Sequence, residues 1–186
     1  MFRKFKLFSF LRNGKLIERS YYLNKLQAVK DIPDIKVITG LRRSGKSKLL
    51  DAYANILERE TTNNVIRIPL HFKKYEKLRN GNDLYEYIDS KYCENSNNYL
   101  LIDEVQMCQN FEETINSLHE EERFDIYLTG SNAFLLSSDL ATLFRGRVFQ
   151  IDIYPFSFDE YLPNVAVKPL ALAMRIRGDN YFLKVI

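Results

Sequence analysis

The sequence contains only two cysteines and two histidines among its 186 residues, and it contains no tryptophan. Cys93 and Cys108 are too far apart for a CxxC motif and have no histidine at metal-ligand spacing, so we expect two free thiols in a reducing compartment. His71 and His119 are isolated along the chain, and we therefore expect neither a histidine-based metal site nor a histidine-based catalytic site. No apolar run approaches the roughly 20 residues that a membrane-spanning helix needs.

The excess of positive over negative charge is also small, because the formal net charge is only +3. This value is too small to indicate a nucleic-acid partner by itself. Residues 1–18 nevertheless form a basic arm, which either contacts nucleic acid or a membrane surface or is simply solvated. Its positive charges are spread through its apolar residues, whereas a secretory signal peptide places them before an uninterrupted apolar stretch. We therefore predict a cytoplasmic protein without a membrane partner.

Strand-like and helix-like segments alternate along the chain, which is typical of a parallel sheet with crossover helices. The predicted strands are residues 35–39, 64–70, 99–103, 125–130 and 147–155. The predicted helices are residues 19–30, 46–59, 82–93, 111–122 and 133–144. Residues 71–80 are predicted to form a loop, and Asn82 or Asp83 is predicted to cap the third helix. Residues 157–162 are predicted to form a short amphipathic piece.

The segment GLRRSGKS, residues 40–47, matches the phosphate-binding pattern GxxxxGK[ST] at every fixed position. Its glycines, Gly40 and Gly45, allow a tight turn that points backbone N–H groups at phosphate oxygens. The helix that follows adds the positive end of its dipole. We expect the Lys46 ammonium to bind the β- and γ-phosphates and the Ser47 hydroxyl to bind Mg²⁺. The alternative is a chance match, which the preceding strand and the following helix disfavour.

The segment YLLIDE, residues 99–104, is an apolar strand that ends in two acids. Asp103 is expected to hold Mg²⁺, and Glu104 is expected to orient or deprotonate the water that attacks the γ-phosphate. The alternative is a solvent-exposed acidic turn. Signal-type GTPases have a DxxG motif at this place and an NKxD motif for guanine, and neither occurs here, which favours adenine over guanine.

Two further segments contain polar residues that could act on the γ-phosphate. Ser131 and Asn132, in TGSN at the end of the fourth strand, are both candidates, and the alternative is that they form a turn or a helix cap. Arg145 and Arg147 are candidates for stabilising the charge of the transition state. The alternative for both arginines is an exposed position at the start of the fifth strand.

Four segments taken in order, IKVITGLRRSGKSKLL, YLLIDEVQ, DIYLTGSNAFLLSSDLATLFRGR and IYPFSFDEY, resemble the bacterial and archaeal AAA-type ATPases that usually carry a C-terminal DUF4143 domain. The resemblance covers about residues 19–161. It implies an ASCE-type P-loop NTPase fold, an α/β three-layer sandwich with a mostly parallel five-stranded sheet in the order 5-1-4-3-2. The residues that match the family's motifs are Gly40, Gly45, Lys46 and Ser47 (Walker A), Asp103 and Glu104 (Walker B), Ser131 and Asn132 (sensor), and Gly146 and Arg147 (Gly-Arg pair).

The resemblance also implies a domain organisation. Residues 1–18 are the basic arm, residues 19–162 are the AAA-type ATPase domain, and residues 163–186 are a short tail. Family members continue well past this segment into further domains, so this pattern is expected of a truncated or frameshifted member.

We therefore predict an ATPase that binds ATP with Mg²⁺ and hydrolyses it to ADP and phosphate. The predicted catalytic residues are Lys46, Glu104, Asn132 and Arg147. The predicted nucleotide-binding residues are Gly40, Arg43, Ser44, Gly45, Lys46, Ser47 and Lys48. The predicted metal ligands are Ser47 and Asp103.

Two other functions stay open. One is a nucleotide-gated binding module with little turnover, which acts with DNA or a protein partner, and the other is a small-molecule kinase. A homo-oligomer, a protein partner and DNA also stay open as partners beside ATP.

Overall fold

The five segments predicted as strands form one sheet in which all neighbouring strands are parallel. The structure, a computed structural model, describes residues 19–130 and 140–156, which all belong to one unit, Glu18–Ser157. The strands are β1 (Ile35–Gly40), β2 (Asn63–Pro69), β3 (Asn97–Asp103), β4 (Asp125–Thr129) and β5 (Val148–Ile153). Their spatial order is β2-β3-β4-β1-β5, which is the predicted order read from the opposite side. The predicted α/β fold is therefore confirmed.

Helices cover both faces of the sheet because successive strand residues alternate between the faces and both sets are apolar. The helices are α1 (Ser20–Ala28), α2 (Lys46–Leu57), α3 (Gly81–Asp89), α4 (Phe111–Glu120) and the short α5 (Leu140–Leu143). Helices α1 and α2 pack with Leu101 of β3 on one face. Helices α3 and α4 pack with Leu100 and Ile102 of the same strand on the other face. None of the helices in the described ranges has the length and the apolar character that a membrane span requires.

Two local predictions are wrong in the stretch between β2 and α3. Residues Lys73–Leu78 form a 3-10 helix inside the predicted loop. Helix α3 is capped by Asn80, whose side-chain oxygen accepts a hydrogen bond from the Asn82 N–H at 3.0 Å, so neither Asn82 nor Asp83 is the cap. The helix begins earlier than predicted because Asn80 satisfies the first free N–H group of the helix.

Several predictions fall on residues outside the described ranges. These are the basic arm at residues 1–18, Ser131 and Asn132, most of the helix predicted at residues 133–144, the amphipathic piece at residues 157–162 and the tail at residues 163–186. The described part of residues 133–144 includes α5, which is helical as predicted.

The strand directions decide where the candidate site residues meet. In parallel pairing, Ile38 of β1 lies beside Thr129 of β4, and Ile102 of β3 lies beside Leu128 of β4. The carboxyl ends of β1, β3 and β4 therefore reach the same edge of the sheet, which we call the carboxyl edge. The opposite edge, where the strands begin, is the amino edge.

The strand residues near the amino edge include a fully buried lysine. Lys36 of β1 has no exposed surface, and its ammonium forms an ion pair with the Asp125 carboxylate of β4 at 2.5 Å. Tyr127 donates a hydrogen bond to the same carboxylate at 2.9 Å. Buried charges need such partners, and this pair links β1 to β4 inside the protein.

Candidate functional site

The segment predicted to bind phosphate forms the tight turn between β1 and α2 at the carboxyl edge. Gly40 and Gly45 have φ angles of 145° and 100°, which favour glycine. A side-chain carbon at Gly40 would also lie 2.2 Å from the Ile153 carbonyl oxygen. The Ser44 N–H donates to the Leu41 carbonyl at 3.1 Å, so the backbone closes on itself. The local sequence therefore produces a loop whose turn depends on its glycines.

Lys46 lies at the start of α2 with its ammonium turned back toward the loop. It is 5% exposed, and it donates to the carbonyl oxygens of Gly40 at 2.9 Å and Leu41 at 3.1 Å. Burial lowers the pKa of this ammonium, while the carboxylates of Glu104 and Asp103 act in the opposite direction on the same pKa. The ammonium is therefore close enough to both carboxylates for their charge to affect its pKa.

Two other predicted nucleotide contacts of this loop differ in their surroundings. The Ser44 hydroxyl is buried and has no hydrogen-bond partner in the part of the chain that the structure describes. Such an unpaired buried hydroxyl is unusual and suggests a missing polar partner. In contrast, the Lys48 ammonium is exposed on α2 and pairs with the Asp51 carboxylate at 3.1 Å. The structure does not bring the Lys48 ammonium to the loop.

Asp103 ends β3, and side chains that end or follow the two neighbouring strands contact its carboxylate. Thr129, at the end of β4, donates its hydroxyl to one carboxylate oxygen at 2.5 Å, and the other oxygen lies 3.1 Å from the His71 Nδ1. Burial raises the pKa of Asp103, although the Thr129 and Ser47 hydroxyls lower it.

Glu104 follows Asp103 in a left-handed backbone conformation, with a φ of 59° and a ψ of 52°. Its N–H donates to the Thr129 hydroxyl oxygen at 3.0 Å. Its carboxylate accepts a hydrogen bond from the Gln106 side-chain amide. The backbone and the side chain of Glu104 are therefore both fixed next to the buried aspartate.

Two residues of this network were missing from the sequence prediction. Thr129 is fully buried and bridges the two acids, whereas the sequence prediction singled out its neighbours Ser131 and Asn132. His71 follows β2, and its Nδ1 lies 3.1 Å from the Asp103 carboxylate, a contact that its isolated position along the chain did not indicate. Both positions follow from the sheet order, because β2 and β4 are the two neighbours of β3.

The predicted arginines lie at the other edge of the sheet. The Arg147 carbonyl accepts a hydrogen bond from the Ile35 N–H at 3.0 Å, at the point where β1 begins. Gly40, where the phosphate-binding turn starts, is roughly 16 Å further along β1 at about 3.3 Å per residue. The Arg145 and Arg147 guanidinium groups both lie near the Glu120 carboxylate. The structure therefore does not bring either arginine to the carboxyl edge of the same chain.

The phosphate-binding pattern implies Mg²⁺, and the residues at the carboxyl edge fit this ion. Mg²⁺ takes oxygen ligands and is usually held by one or two carboxylates together with phosphate oxygens. Ser47 and Asp103 provide a hydroxyl and a carboxylate, both of which are oxygen ligands, and the Ser47 hydroxyl lowers the pKa of that carboxylate. Residues 19–130 and 140–156 contain no group of three or more His, Cys, Asp or Glu side chains that could hold a metal.

Comparison with known proteins gives one matching family model and two similar curated proteins. The model, described as an AAA domain, matches residues 33–162. An uncharacterized protein of Haemophilus influenzae is 39% identical over 150 residues, which cover 79% of this chain and 38% of that protein. The uncharacterized protein MJ1544 of Methanocaldococcus jannaschii is 29% identical over 153 residues, which cover 82% of this chain and 34% of that protein. This chain therefore spans less than two fifths of the length of these relatives.

Solved structures with the same fold are much more distant in sequence. A DNA polymerase III gamma subunit-related protein from Thermotoga maritima has a TM-score of 0.53 at 15% identity, with 74% of this chain and 47% of that chain covered. Saccharomyces cerevisiae RIF2 also has a TM-score of 0.53, at 14% identity, with 80% of this chain and 61% of that chain covered. At such identities the similarity concerns the fold alone.

Proposed function

The chain belongs to the AAA domain family, and from that premise we propose that it binds ATP with Mg²⁺ and hydrolyses the ATP to ADP and phosphate. The observation that carries the proposal is the meeting of two sequence motifs at the carboxyl edge. The loop around Lys46 adjoins Asp103, whose carboxylate acts on the pKa of the Lys46 ammonium and whose own pKa is lowered by the Ser47 hydroxyl. Glu104 follows directly, with its N–H fixed by Thr129.

Each residue has a distinct role in this proposal. The Lys46 ammonium leaves the carbonyls of Gly40 and Leu41 and binds the β- and γ-phosphates. Ser47 and Asp103 hold Mg²⁺, which supplies charge neutralisation at the phosphates when it is bound. The nucleotide contacts extend over Gly40, Arg43, Ser44, Gly45 and Ser47, whereas the Lys48 ammonium, which pairs with Asp51 on α2, has no part in this proposal.

The proposed base is Glu104, which accepts a proton from the attacking water. The Gln106 amide holds one carboxylate oxygen of Glu104, which leaves the other oxygen to accept that proton. Asn132 is proposed to orient the water or the γ-phosphate from the end of β4.

Two substitutions separate binding from turnover. Lys46→Ala should abolish the heat of Mg·ATP binding in calorimetry, because the loop loses its phosphate-binding cation. Glu104→Gln should leave binding intact and lower the rate of phosphate release by a factor on the order of 10²–10⁴. Glu113→Gln, which changes an exposed acid of α4 in the same way, should have no effect on either quantity.

The results also distinguish the alternatives. Glu104→Gln with the wild-type rate of phosphate release would refute the assignment of the base. Tight binding of Mg·ATP by the wild type without phosphate release would favour the nucleotide-gated binding module. Transfer of the phosphate to a metabolite would favour the kinase.

Arg147 can serve as a catalytic arginine only for a second copy of the chain, because it lies at the amino edge. We therefore propose that hydrolysis takes place in a homo-oligomer in which Arg147 of one copy reaches the phosphates bound by the next. Arg147→Ala and Lys46→Ala should each be inactive alone. A mixture of the two should regain turnover, because the Lys46→Ala copy supplies the arginine and the Arg147→Ala copy supplies the intact loop. No recovery in the mixture, with both variants folded, would contradict the shared site.

The domain organisation of the whole protein is a separate proposal. Family members of the type that this sequence resembles usually carry a DUF4143 domain, and we propose that the AAA domain described here functions beside one. The lengths of the curated relatives support this, since more than half of each lies outside the matched region.

A further inference from the structure

Arg19, the residue before α1, is buried against the phosphate loop. Only 6% of it is exposed, and its Nη1 donates to the Ser44 carbonyl oxygen at 3.1 Å. Arginine is almost never this deeply buried without a partner. The sequence prediction assigned Arg19 no part in nucleotide binding.

The hydrogen bond to Ser44 has a geometric consequence for the next residue. The peptide unit that joins Ser44 and Gly45 is planar and trans, so its C=O and its N–H point in opposite directions. Because Arg19 binds the Ser44 C=O, the Gly45 N–H points away from the Arg19 guanidinium. Phosphate loops bind phosphate through backbone N–H groups of this kind.

Arg19 is itself held in place by aromatic side chains. Its guanidinium carbon lies 4.3 Å from the centre of the Tyr22 ring and 4.6 Å from the centre of the Phe156 ring. The Tyr22 hydroxyl accepts a hydrogen bond from the Tyr154 N–H at 3.2 Å, which fixes the ring to the chain that follows β5. Stacking of this type restricts the guanidinium to one plane.

We propose that Arg19 is a positioning residue for phosphate binding, which fixes the Ser44–Gly45 peptide so that the Gly45 N–H faces the phosphates. This rests on the proposed function in one respect, namely that the loop binds a polyphosphate. Arg19 contacts the loop through the Ser44 carbonyl, and its effect is transmitted through one peptide bond.

The test compares Arg19→Met, which has a similar length but cannot donate, with Arg19→Lys, which can. Lys25→Met, in the exposed surface of α1, is the matched control for loss of a cation. Tripolyphosphate and Mg·ATP are titrated into each full-length variant in a calorimeter, and the amide resonance of Gly45 is followed by NMR. Circular dichroism and thermal unfolding verify that each variant is folded.

Arg19→Met should bind both ligands about tenfold more weakly, which corresponds to about 1.4 kcal/mol. Arg19→Lys should recover part of this loss, and Lys25→Met should bind as the wild type does. The Gly45 amide resonance of the free protein should move in Arg19→Met and should stay near its wild-type position in Lys25→Met. Similar losses with adenosine, which has no phosphate, would indicate a general structural role and would overturn the proposal.

The outcomes also separate this proposal from the proposed function. If the wild type binds neither ligand, the proposed function fails. The NMR measurement tests the positioning role independently, because a Gly45 amide resonance that does not move in Arg19→Met would overturn that role. If Arg19→Met does not fold, the comparison is made with Arg19→Lys. Wild-type affinity for tripolyphosphate together with an unmoved Gly45 resonance in Arg19→Lys would then overturn the proposal, because a single ammonium cannot reproduce the stacked, planar guanidinium.

Discussion

Replacement of Arg43 by glycine should make the protein more stable and a weaker nucleotide binder. Arg43 lies in the middle of the phosphate loop with a φ of 70°, in the left-handed region that L-residues rarely adopt. Its side chain is exposed. We expect that the loop keeps a strained arginine at this position because the guanidinium contacts the phosphates, since a glycine would adopt the same turn without strain.

The magnitudes follow from the backbone conformation. A left-handed conformation costs an L-residue roughly 1–2 kcal/mol, whereas glycine loses about 0.5–1 kcal/mol through its greater freedom in the unfolded chain. The net gain for Arg43→Gly is therefore about 0.5–1 kcal/mol, or an increase in Tm of roughly 1–4 °C for a chain of this size. Loss of a charged hydrogen bond to phosphate, worth about 1.5–3 kcal/mol, should weaken Mg·ATP binding at least about tenfold.

The assay is thermal unfolding without ligand, followed by calorimetry with Mg·ATP on the same samples. Arg42→Gly is the matched control, because Arg42 is the exposed neighbour and has no positive φ. We expect it to lose about 0.5–1 kcal/mol of stability. A lower Tm for Arg43→Gly than for Arg42→Gly would refute the strain argument, and an unchanged affinity would refute the phosphate contact.

Three further changes test other parts of the structure. Gly40→Ala should lower the free energy of unfolding in urea by about 1–3 kcal/mol or more, because its side chain would collide with the Ile153 carbonyl; an unchanged midpoint would contradict this. Thr129→Val should lower the free energy of unfolding by about 1–3 kcal/mol, because one buried hydroxyl bridges two partners. A Tm equal to that of the wild type would show that the bridge is dispensable. Cys93 should react with Ellman's reagent at pH 8 in the folded protein, whereas Cys108 should react only after unfolding, because burial raises the pKa of its thiol to about 11. If both thiols of the folded protein react rapidly with the reagent, Cys108 is not buried.

The features that sequence reasoning predicted correctly depend on local patterns. The phosphate-binding segment is contiguous, so Gly40, Gly45 and Lys46 identify the turn by their spacing. The sheet order was implied by the family resemblance and is confirmed. The two cysteines are free, as predicted, because their spacing and surroundings fit neither a metal site nor a disulfide.

The features that it missed depend on side chains that meet only in the folded sheet. Thr129 reaches Asp103 because β4 and β3 are neighbours and Thr129 is the last residue of β4. His71 reaches the same carboxylate from β2. A histidine distant from other ligands along the chain is therefore not isolated when the strand that precedes it lies beside the strand of an acid.

The contact between Arg19 and Ser44 was inaccessible to pattern reasoning for a different reason. The two residues are 25 positions apart, and no sequence motif predicts a contact between Arg19 and a backbone carbonyl. The arginine was predicted only as the first residue of the first helix, directly after the basic arm. Its burial between Tyr22 and Phe156 depends on the packing of α1 against the end of β5.

The buried charged side chains have different partners at the two edges of the sheet, and this contrast supports the carboxyl edge as the functional one. At the amino edge, Lys36 and Asp125 pair directly with each other. At the carboxyl edge, Lys46 donates to backbone carbonyls, while Asp103 accepts from the Thr129 hydroxyl and contacts the His71 imidazole. Burial lowers the pKa of the lysine and raises the pKa of the aspartate, so each charged form is disfavoured there. A polyphosphate beside the lysine and a divalent cation beside the aspartate would stabilise both charged forms, and binding would then stabilise the folded domain.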